Sequence, residues 1–62
     1  MQYYHGQVTM KLKINGWVIV HGFEHDIAII PKTSRKIIIP HSDDYLPDEI
    51  IRNISDMSGI SF

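Results

Sequence analysis

The chain contains no cysteine. Neither a disulfide nor a thiolate zinc site can therefore hold it together. It also lacks long apolar runs. The longest, Trp17 to Val20, Ile27 to Ile30 and Ile37 to Ile39, fall far short of the roughly 20 residues a membrane-spanning helix needs. After Met1-Gln2-Tyr3-Tyr4-His5 comes no basic region followed by an apolar stretch, so no secretory signal is read. Together with the missing cysteine, this agrees with a reducing, cytoplasmic setting. A basic excess is missing too. The net charge is −1 with the four histidines neutral, which weighs against strong nonspecific binding to nucleic acid. There is no internal repeat, low-complexity segment or linker.

What remains is a globular composition. Of 62 residues, 44% are hydrophobic and 21% charged, enough to form a core and too little charge for a disordered chain. The length allows one domain, residues 1–62. A chain this short is marginally stable alone and depends on good packing, oligomerisation or a partner. Its charges are segregated. Every basic residue except Arg52 lies between Lys11 and Lys36, whereas five of the seven acidic residues lie from Asp43 onward. A local basic face is compatible with the neutral whole.

Residues Gln7 to Ile14 support two readings. Val8, Met10, Leu12 and Ile14 alternate with polar residues, a strand pattern that Asn15-Gly16 would turn into a hairpin with Trp17 to Val20. Val8 and Leu12 are also four apart, and Asn15-Gly16 could end a helix. Local periodicity slightly favours the hairpin. Downstream, Trp17 to Val20, Asp26 to Ile30 and Arg35 to Ile39 are rich in β-branched residues and predict an antiparallel three-stranded meander. Pro31-Lys32-Thr33-Ser34 is its turn, and Pro40 ends the third strand because it has no ladder donor. After a polar loop, Pro47-Asp48-Glu49 opens a helix, with proline and carboxylates suited to its first turn. Ile50, Ile51, Ile54 and Met57 recur at helical spacing. Arg52 reads as paired with Asp48 and Asp56, each four residues away, and Gly59 as the C-terminal cap.

The order of these features resembles the HicA family of bacterial toxins. The resemblance runs from about Gln7 to Ser61. Asn15-Gly16-Trp17 matches the turn into the first strand, and His25 stands at the family's histidine position at the head of the second. Pro31 follows six residues later. The basic-then-apolar third strand is Arg35-Lys36-Ile37-Ile38-Ile39-Pro40. Leu46-Pro47, Arg52-Asn53-Ile54 and Ser58-Gly59-Ile60-Ser61 complete the pattern. The resemblance implies an α+β domain, helix, three-stranded antiparallel sheet, helix, like the double-stranded-RNA-binding fold. It makes Gln7 to Asn15 helical, which leaves Met10 and Ile14 partly exposed for a partner.

Members of this family are mRNA interferases neutralised by a HicB antitoxin. The resemblance thus implies RNA and a HicB-like protein as partners, with no cofactor. It places catalysis on His25 and backbone contact on Lys32, Arg35 and Lys36. Histidine suits proton transfer in RNA cleavage because it titrates near working pH, and cations hold phosphate oxygens. The family's usual Gly-Ser-His is here Phe23-Glu24-His25, one residue shorter. A bulky apolar residue and a phosphate-repelling carboxylate thus replace a small loop. The alternative is a catalytically decayed module that binds protein or RNA. Without the resemblance, His25 reads as an exposed strand residue and the three cations as a solvated hairpin tip. No metal is expected, because His21 and His25 with Glu24 or Asp26 match no standard zinc spacing. His41 reads as a solvated loop residue, and Trp17 as packed on the helix rather than stacked on a base.

Overall fold

A computed structural model describes residues 2–62. Its first helix, α1, spans His5–Ile14. The Gln7 side chain fastens its start by accepting the Tyr4 N–H at 2.7 Å, satisfying a donor the helix itself cannot pair. The hairpin reading of this segment is overturned. Val8 and Leu12 are fully buried whereas Met10 and Ile14 are exposed, so burial follows a four-residue spacing and not alternation. Asn15 ends the helix and Gly16 takes a positive φ of 91°, which glycine adopts without steric cost.

Strands β1 (Val18–Val20), β2 (His25–Ile30) and β3 (Arg35–Pro40) follow, and then α2 (Asp48–Ser58). The sheet order is β1-β2-β3, antiparallel throughout. Val18 pairs with Ile29 and Val20 with Ile27. Asp26 pairs with Ile39, Ala28 with Ile37 and Ile30 with Arg35. The expected α+β architecture, helix, three strands, helix, is the one observed. Pro47 precedes α2 as its N-cap, its carbonyl accepting from Ile50 and Ile51. Gly59 closes α2 at a φ of 73°. Among the described residues the contacts at ion-pair distance all join Asp26 to a histidine, so Arg52 does not pair with Asp48 or Asp56.

Both helices cover one face of the sheet. The core joins Val8 and Leu12 of α1 to Ala28, Ile37 and Ile39, and to Ile51 and Ile54 of α2; Trp17 and Leu46 complete it. Trp17 is buried, as expected of a packing residue. Lys11 draws the C-terminal residues against α1, with Nζ donating to the Ser61 carbonyl at 2.6 Å and lying 4.9 Å from the Phe62 ring centre. The other face of the sheet has no such cover, and Val18, Val20 and Ile38 are exposed on it. No helix among the described residues is long and apolar enough to cross a membrane.

Candidate functional site

His25 is the first residue of β2, the central strand. It therefore does not lie on an edge strand of the sheet. Yet it precedes the stretch of β2 that pairs with β1, and among the described residues its only sheet partner is Pro40. Side chains alternate along a strand, so the buried Asp26 puts His25 on the uncovered face. There it is half-buried. It borders a shallow hollow of about 300 Å³ with Val20, His21, Gly22, Phe23, Glu24 and Ile27. Phe23 is 97% exposed, so the bulky replacement in this loop extends into solvent and does not fill the core.

Lys32, Arg35 and Lys36 do not join it. Arg35 pairs with Ile30 and Lys36 with Ile29, whereas His25 is at the other end of the same ladder. At the usual strand rise, five residues separate His25 from the Arg35 end by roughly 17 Å. The cations to which the resemblance gives backbone contact thus lie away from His25. A four-residue turn carries them to the far end of the hairpin. Arg35 is also engaged elsewhere, its Nη2 donating to the Met57 carbonyl at 2.6 Å. That contact sets a cation against the last turn of α2, where the helix dipole is negative. Lys32 and Lys36 are exposed.

A denser cluster forms around Asp26, which is 1% exposed. Its Oδ1 lies 2.8 Å from His41 Nε2 and accepts the Gly22 N–H at 3.1 Å. Its Oδ2 lies 3.2 Å from His21 Nδ1 and 3.0 Å from His5 Nε2. Burial pushes this carboxyl up, but the bonds to His41, the Gly22 N–H and His21 outweigh it and hold the pKa at about 2. Asp26 is thus an anion inside the fold, surrounded by three imidazoles from three parts of the chain. His41 is an exposed loop residue, as expected, but its ring also reaches Asp26. It sits just past β3 because Asp26 pairs with Ile39, and its ring meets that of His5 edge-on at 5.1 Å. His21 does meet Asp26, but His25 is not part of the cluster.

The sequence carried one signal for this cluster. A meander with a four-residue turn pairs Asp26 with Ile39 and so brings His41 close. His5 enters only through the packing of α1, which no local pattern foretells. A second hollow of about 330 Å³, lined by Tyr3, Ile51, Phe62 and Asp48, Arg52, Ser55 and Asp56 of α2, contains no histidine. No protein-family model matches the chain, and no curated protein matches it.

Proposed function

We propose that this chain is an RNA-directed domain of the HicA kind, an mRNA interferase with His25 as its acid/base residue. The observation that carries the reading is the position of His25. It stands at the head of β2 in a helix, three-strand, helix domain, turned to the uncovered face and bordering a hollow. An imidazole there can take the proton from a ribose 2′-hydroxyl as that oxygen attacks the adjacent phosphorus. It can then return a proton to the departing 5′-oxygen. This chemistry uses no cofactor. Lys32 and Lys36 would hold phosphates further along the RNA, with Arg35 shared between RNA and α2. The setting is the cytoplasm, where mRNA is found. The protein partner is a HicB-like antitoxin, and exposed Met10 and Ile14 on α1 supply apolar surface for it.

A second reading, a binding module without nuclease activity, is favoured by one observation. The cations and His25 occupy opposite ends of the hairpin, so no cation of this trio neutralises phosphate at the reacting centre. Purified protein incubated with mRNA in a chelator separates the two. The wild type should cleave, and His25→Ala should lose about 100-fold or more in rate while still binding RNA. Binding without cleavage by folded wild type would establish the binding module. Neither binding nor cleavage would remove RNA from the account.

A further inference from the structure

The groups around Asp26 exceed what a hydrogen-bonded carboxylate requires. His41, His21 and the Gly22 N–H already serve its two oxygens. His5 Nε2 is buried and 3.0 Å from Oδ2, yet the geometry is not that of a hydrogen bond, and the atom has no hydrogen-bond partner. A buried imidazole nitrogen left in this way is costly. The donor atoms of His5, Asp26 and His41 all lie within 4.8 Å of one another.

We propose that His5, Asp26 and His41 bind one divalent transition-metal ion of the zinc class, which ties α1 to the sheet. Two imidazoles and a carboxylate are suitable ligands for zinc. Zinc bonds of about 2.0–2.2 Å set neighbouring tetrahedral donors about 3.3 Å apart. His41 lies 2.8 Å from Oδ1 and His5 3.0 Å from Oδ2, and all the donor atoms lie within 4.8 Å of one another, so the ion would draw the three side chains together around it. The ion would take the lone pair of His5 Nε2, which makes no hydrogen bond. His21, exposed and 3.2 Å from Oδ2, is placed to offer a fourth donor; otherwise water completes the shell. The three ligands come from the first turn of α1, from β2 and from the residue after β3, so the ion would join three segments of a small chain with no disulfide. The site is distinct from His25, which faces the other side of the sheet.

The test uses untagged, chelator-stripped protein. Zinc binding is read by competition with a chromophoric chelator, the ligand field by cobalt(II) absorption, and stability by thermal melting. The expected result is one zinc per chain and tetrahedral cobalt bands. The melting midpoint should rise by about 20 °C at free zinc 100-fold above Kd, with no such rise in magnesium. His5→Gln and His41→Gln, each checked by circular dichroism, should weaken zinc binding by about 100-fold or more, and His25→Ala should leave it intact. Failure of the wild type to take zinc from the chelator would overturn the proposal. So would undiminished binding in both glutamine variants, or loss of binding in His25→Ala alone. No RNA is present, so the outcome is independent of the RNA-directed reading.

Discussion

Gly22 is where a single added methyl group should do the most damage. A Cβ built there would fall inside the van der Waals envelope of the His25 carbonyl oxygen, which is backbone and cannot swing aside. The loop between β1 and β2 would have to move. That displaces the Gly22 N–H, which donates to Asp26 at 3.1 Å. Overpacking of this kind costs about 1–3 kcal/mol, and a hydrogen bond to a buried charge adds about 1.5–3 kcal/mol. Gly22→Ala should therefore destabilise by about 2.5–6 kcal/mol. A domain of this length holds only roughly 3–9 kcal/mol in all. Gly6 provides the internal comparison. It lies in α1 with nothing within 4 Å of an added Cβ, so Gly6→Ala should stabilise by about 0.5 kcal/mol. Urea unfolding followed by circular dichroism measures both, and the Gly6→Ala background keeps the Gly22 variant measurable. If Gly22→Ala lies within about 0.5 kcal/mol of wild type, the close approach of this loop to His25 is refuted.

Acid should weaken the fold through Asp26. Its pKa is held at about 2, below the ordinary 3.8, so its contribution of about 2 kcal/mol is whole above about pH 4 and is lost as the pH falls through 2. Urea midpoints at pH 5 and pH 2 should converge for wild type and Asp26→Asn; an unchanging gap would contradict this. Ile54 is 1% exposed in the core between α2 and the sheet. Ile54→Ala should cost about 2–4 kcal/mol, whereas Met57→Ala, at the exposed margin of the same helix, should cost less than half as much in the same urea titration.

The legible parts of the fold were those with a single period. In α2, Ile51 and Ile54 repeat at helical spacing, and Gly59 stops the helix where its φ of 73° requires glycine. The meander was legible because Pro31 to Ser34 and Pro40 bound its strands. Residues 7–14 were ambiguous because apolar residues occur on both the buried and the exposed side of α1, so their two-residue alternation imitates a strand. β2 concealed the site for a related reason. Ile27 and Ile29 alternate with Asp26 and Ala28, so neither side reads as polar and the inward turn of Asp26 cannot be inferred. Asp26 stays anionic while buried because His41, the Gly22 N–H and His21 bond to it, and His41 is far from it in sequence. The distance between His25 and the cations follows from strand register, which residue order does not give until the pairing is known.

The RNA-directed reading is tested most directly in cells. Wild type and His25→Ala would be expressed side by side, with growth, soluble protein and mRNA integrity followed after induction. The account predicts arrest and mRNA loss with the wild type, and neither with His25→Ala at equal soluble level. Intact mRNA and normal growth with abundant soluble wild type, or equal arrest by both proteins, would contradict it.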